Sequence, residues 1–258
     1  MALLTEKGYK VQPFKCGPDY IDTKFHEAVC HRPSINLDTF MASQEHVREL
    51  FAQYGKDADV CIVEGMMGLF DGYDRDKGSS AEIAATLQIP VVLVVDAKSA
   101  AYSMAALLSG FIHFRKDVHI SGVIFNKVGS ERHFQMLQQV CDDLKIECFG
   151  YLPKTPALEQ GSRYLGLDFS LTPIPSIPAN APTRSLSNGE GSEYFSAIAD
   201  HILTKLSLTS HFTPLAPGRG AGGEALVARN QESFSFIYQE TIDSFSAVRF
   251  FDPETEVP

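Results

Sequence analysis

Apolar residues recur along this chain in two registers. Short unbroken runs such as V-C-I-V at 60–63 and P-V-V-L-V-V-D at 90–96 lack the alternation of a half-exposed strand. They read as strands of a parallel sheet covered on both faces. Runs at 9–14, 119–126 and 146–152 predict three more strands. Between them lie helical patterns over 2–7, 23–31, 44–54, 99–115 and 130–144. Ser43 is a candidate N-cap, and the S-x-x-E spacing of Ser79 and Glu82 predicts a capping box on a further helix that ends near Gln88. Strand and helix alternate over short connections, which predicts an α/β fold: a mostly parallel sheet with helices on both faces, assembled by right-handed crossovers.

The pattern changes after Leu152. Pro, Ser and Thr crowd residues 153–188 and predict an irregular lobe, after which a helix over 193–206 closes the first unit. Residues 207–225 have the composition of a linker. A strand at 226–229, a helix through Ile242 and a strand at 247–251 then predict the opening of a second α/β domain over 226–258. The chain opens on a helix, so 1–206 is expected to begin part-way through its first strand–helix unit.

Chemistry gathers where predicted strands end. The strand at 60–63 runs into E-G-M-M-G-L-F-D-G, which places Glu64 at its end and Asp71 in the following loop. The strand at 9–14 leads into G-P-D-Y-I-D at 17–22, with Asp19 and Asp22 three apart. Open α/β sheets bind ligands beyond the carboxyl ends of their strands. Four carboxylates there would repel one another unless a metal ion or a cationic group lies among them, and Mg²⁺ on a nucleotide is the natural occupant.

Composition removes several alternatives. The formal charge is 22 − 32 = −10, which argues against non-specific binding to nucleic acid or anionic membrane. No apolar run approaches a bilayer span and no signal peptide opens the chain, so a cytoplasmic protein is expected. The five cysteines include no C-x-x-C and are read as reduced packing residues. Gly218, Gly220 and Gly223 match G-x-G-x-x-G, but Pro214 and Pro217 stand where the preceding strand should be, so the match is linker. Neither G-x-x-x-x-G-K-[ST] nor G-x-S-x-G occurs. His26 and His31, five apart, have the wrong interval for two ligands on one helical face and are read as ordinary histidines.

Together, G-P-D-Y-I-D at 17–22, N-L-D at 36–38, V-E-G-M-M-G-L-F-D-G at 63–72, the strand at 90–96, G-V-I-F-N-K-V at 122–128 and R-Y-L-G-L at 163–167 resemble the cobyrinic acid a,c-diamide synthases. V-A-R-N at 227–230 and F-S-F-I-Y at 234–238 resemble the start of that family's glutamine amidotransferase domain. The resemblance implies a P-loop NTPase core of the dethiobiotin synthetase kind, lacking its first strand and phosphate loop. It implies a glutamine-dependent ligase of corrin biosynthesis that uses ATP and Mg²⁺ to activate carboxylates of a tetrapyrrole for amidation by ammonia.

Carried over by position, Asp19, Asp22, Glu64 and Asp71 would be the catalytic acids, with Glu64, Asp19 and Asp22 around Mg²⁺. Asn126 matches the adenine-reading position, and Lys15 and Lys127 would neutralise phosphate or substrate carboxylates. A homodimer is also implied. Tyr164 stands where the family has a histidine, and the glutaminase cysteine and histidine have no counterpart here. Weak ATP binding and no turnover by the chain alone are therefore expected. Two other readings remain at this point: a non-catalytic remnant that binds a tetrapyrrole, and a partitioning-type ATPase of the same superfamily.

Overall fold

The computed structural model describes residues 1–154, Ile198, Asp200 and the backbone of 234–240. Seven strands form one sheet in the order β2-β1-β3-β7-β4-β5-β6. They are β1 (Val11–Cys16), β2 (Ile35–Leu37), β3 (Val60–Glu64), β4 (Val91–Asp96), β5 (Ile120–Val128), β6 (Glu147–Pro153) and β7 (Phe234–Glu240). Every pairing is parallel. The helices are α1 (Ala2–Glu6), α2 (Asp22–Cys30), α3 (Gln44–Gly55), α4 (Ser80–Leu87), α5 (Met104–Phe114) and α6 (Glu131–Leu144).

Alternate strand residues feed two cores. Cys61, Val63, Leu93, Val95 and Phe125 pack on one face with Val47, Ile83, Leu108 and Leu137 of α3–α6. Val60, Ile62, Val92, Val94 and Ile124 pack on the other with Leu4, Cys30 and Ile198. This double coverage is why β3 and β4 are apolar at every position but their last. From β1 the chain steps outward through α2 to β2, and from β2 it returns past β1 to β3 and onward. Crossovers of one hand then put α2 on the face opposite α3–α6. The carboxyl ends of β1 and β3, neighbours whose connections leave toward opposite faces, therefore border the crevice where such sheets bind ligands.

The helices start where their caps predict. Ser43, Ser79 and Ser130 each accept a hydrogen bond from the backbone N–H three residues on. The expected capping box is half formed, because the Glu82 carboxylate accepts from Gly78 N instead of reaching back to Ser79. Helix α5 begins at Met104, five residues later than expected, after turns over 99–103.

Two expectations need correction. Residues 35–37, where the sequence pattern predicts no strand, form the short strand β2. The helix predicted through Ile242 is instead strand β7, in keeping with the aromatic and β-branched residues of F-S-F-I-Y. That segment pairs with both β3 and β4. The strands expected at 226–229 and 247–251, and the proposed linker at 207–225, lie outside the described residues.

Candidate active site

Lys15 and Glu64 are register partners on β1 and β3, so their side chains leave the sheet on the same face. That face is covered by α2, whose first residue is Asp22. The three meet. Lys15 Nζ lies 3.0 Å from Asp22 Oδ2 and 3.3 Å from Glu64 Oε1, and it donates to the Gly65 carbonyl at 3.1 Å. Lys15 is 4% exposed, whereas the side chains of Glu64 and Asp22 are 28% and 42% exposed. Burial works to neutralise the Lys15 ammonium, but the charges of Glu64 and Asp22 outweigh it and raise its pKa. Burial likewise pushes the Glu64 carboxyl upward, and the hydrogen bond from His26 and the charge of Lys15 more than offset that, leaving it lowered.

The cationic group that the clustered carboxylates require is thus supplied by the chain itself. Lys15 has its N–H groups engaged by Asp22, Glu64 and Gly65 and holds the crevice together. Of its two acids, Asp22 is the more open to solvent.

The other expected residues are placed differently. Asp19 Oδ1 accepts from the backbone N–H of Ile21 and Asp22 at 2.8 and 3.0 Å, so it orders the start of α2. Asp71 is exposed and accepts from Gly68 N at 3.2 Å, inside its own loop. Among the described residues no three His, Cys, Asp or Glu side chains form a group able to hold a metal. The set Glu64, Asp19 and Asp22 is therefore not assembled as a cage. Mg²⁺ that arrives on phosphates needs only one or two protein carboxylates, a demand that Asp22 and Glu64 fit. On and just past the neighbouring strand β2, two acceptors, Asn36 Oδ1 and Asp38 Oδ2, are buried without a hydrogen-bond partner among the described residues.

A second polar group ends β4 and β5. Lys127 Nζ pairs with Asp96 Oδ2 at 2.6 Å, and Asn126 Oδ1 accepts from Lys127 N at 2.8 Å. Tyr238 of β7 is level with both Glu64 and Val92. Asp96 therefore sits about 13 Å farther along the strands than Glu64 and about 10 Å across the sheet.

His26 was passed over in the sequence. Its ring is buried against the site, with Nε2 on Glu64 Oε2 and Nδ1 3.0 Å from Ser34 Oγ. The signal lay in its interval of four from Asp22, which puts both on one helical face, and not in its interval of five from His31. Glu82 was legible only as a cap. Its carboxylate also accepts from Thr39 Oγ1 at 2.7 Å and Gln44 Nε2 at 3.2 Å, tying the loop after β2 to the loop after β3.

The model of the AAA domain family matches residues 24–162, more than half of the chain. The chain belongs to that family. This AAA domain chain is 54% identical over 169 residues to a cobyrinate a,c-diamide synthase of Caldanaerobacter subterraneus subsp. tengcongensis, covering 65% of the chain and 37% of that protein. It is 37% identical over 246 residues to the enzyme of the same name from Streptococcus sanguinis, covering 93% of the chain and 53% of the relative. A hydrogenobyrinate a,c-diamide synthase of Mycobacterium bovis is 44% identical over 170 residues, covering 64% of the chain and 37% of the relative. The AAA domain chain thus spans about half or less of the length of the curated relatives it matches. The resemblance carried by its motifs extends over most of its residues.

Proposed function

We propose that the crevice serves the ATP-dependent amidation of carboxylates on a cobyrinate-type tetrapyrrole, with ammonia derived from glutamine as the nitrogen source. The observation that carries this reading is the grouping of Lys15, Asp22 and Glu64 at the switch of direction between β1 and β3, in a chain similar to enzymes named for that product. Mg-ATP, when bound, supplies the phosphoryl group that turns a carboxylate oxygen into a leaving group. Asp22 and Glu64 accept the metal that accompanies the phosphates, and Lys15 holds both acids close. Asn126, near the carboxyl end of β5, reads the base.

The exposed apolar side chains support a flat substrate. Tyr20, Phe40, Met41, Met67 and Tyr73 all stand on loops that leave the carboxyl ends of β1, β2 and β3. Phe40 and Tyr73 meet edge to face with centroids 4.7 Å apart. Such a rim suits a macrocycle whose periphery carries the reacting carboxylates.

The test is amidation of cobyrinate by this chain with ammonium and millimolar Mg-ATP; the crevice reading predicts turnover here, against the inactivity expected from the sequence. Carboxamide and ADP forming in equal amounts is the expected result. Tetrapyrrole binding that ignores Mg-ATP, with no amide, would favour the second reading, a tetrapyrrole-binding module. One observation leans that way: Lys15 already neutralises the two acids.

A further inference from the structure

Glu64 has two oxygens with different partners. Oε1 faces Lys15, and Oε2 faces His26 Nε2. His26 is 6% exposed, and the contact of its Nδ1 with Ser34 Oγ fixes the ring from behind. An ionised carboxylate only accepts, so the ring proton sits on Nε2. The Ser34 hydroxyl can donate to Nδ1 or accept from it, so the link survives either charge state of the ring.

We propose that His26 is a positioning residue of this site: it fixes Glu64 Oε2, so that Oε1 and Asp22 hold Lys15 in place and the crevice keeps one geometry for an incoming phosphate and its metal. Without that anchor Glu64 can turn about its terminal torsion, and Lys15 loses a steady acceptor. Outer partners of this kind change the affinity of the groups they orient by about 10–100-fold. The proposal rests on the reading of the crevice as a Mg-nucleotide site, and the test separates the two.

The full 258-residue chain, labelled with ¹⁵N-lysine, should give a slowly exchanging side-chain ammonium signal from Lys15, assigned by its loss in Lys15→Met. His26→Leu is expected to abolish that signal, and His26→Gln to keep it, because the glutamine amide can donate to the same oxygen. Ser34→Ala removes only the contact behind the ring. It is expected to broaden the signal, and it provides the same test should His26→Leu fail to fold. Calorimetry with Mg-ATP should show affinity at least tenfold weaker in His26→Leu and near wild type in His26→Gln. An unchanged Lys15 signal in both His26→Leu and Ser34→Ala overturns the proposal, whatever the nucleotide does. A signal that responds as expected while no form binds Mg-ATP supports the positioning role and removes the nucleotide reading.

Discussion

Lys15 is the residue on which the crevice depends most. A buried ammonium with three acceptors stabilises only while its partners are charged, and the direction of each pKa shift gives the pH at which that support ends. Glu64 is held below its ordinary 4.5, so its contribution is present above that value and is lost as pH falls through the folded pKa. Lys15 is held above its ordinary 10.5, so its contribution is complete below that value and is lost as pH rises through the folded pKa. Thermal midpoints recorded across pH should therefore decline on the acid side of 4.5 and on the alkaline side of 10.5, and Lys15→Met should flatten both arms. Lys15→Met is also expected to lower the unfolding free energy by about 1–3 kcal/mol in urea titrations, the partial exposure of its partners limiting the loss. Lys15, Asp22 and Glu64 were legible in the sequence because strand-end polar residues on adjacent strands converge by topology. Asp19 was singled out with them, and in the structure its carboxylate accepts from the backbone N–H groups of Ile21 and Asp22, a local role that an acid three residues before another can take. His26 was missed because it was weighed against His31, five positions away, whereas its interval of four from Asp22 and its contact with Glu64, 38 positions away, put it at the site.

At the scale of elements, the loop after β3 is a set of backbone contacts that glycine makes feasible. Gly72 N donates to the Arg75 carbonyl at 2.6 Å, and a Cβ on Gly72 would fall 1.9 Å from the Lys77 carbonyl oxygen. Gly72→Ala should force this loop open and lower the thermal midpoint, with a loss of about 1–3 kcal/mol. Gly110 in α5 offers the contrast. A Cβ there meets nothing within 4 Å, so Gly110→Ala should stabilise by about 0.5–1 kcal/mol, read by the same melts. Strands β3 and β4 were legible because burial on both faces leaves an unbroken apolar run. Strand β2, three residues long, is below the length at which a pattern exists. Strand β7 was hidden because Gln239 and Glu240 follow its aromatic residues and break the apolar run that a central strand usually shows.

At the scale of the whole molecule, β7 joins the two halves of the sheet, since β3 and β4 each pair with it and not with one another. A proline at Ile237 removes a backbone donor from the middle of that strand. Ile237→Pro is expected to lower hydrogen-exchange protection along the facing residues of β3 and β4 together, while β5 and β6 keep theirs. Retention of full protection in β3 would contradict the strand order. The same order sets the crevice between β1 and β3, and from it comes the central claim that the crevice activates a carboxylate with ATP. That claim is tested most directly by following oxygen. With cobyrinate labelled by ¹⁸O in its carboxyl groups, Mg-ATP and ammonium, one labelled oxygen should appear in inorganic phosphate for each amide formed. Amide or bound tetrapyrrole with no ¹⁸O in phosphate would contradict the account.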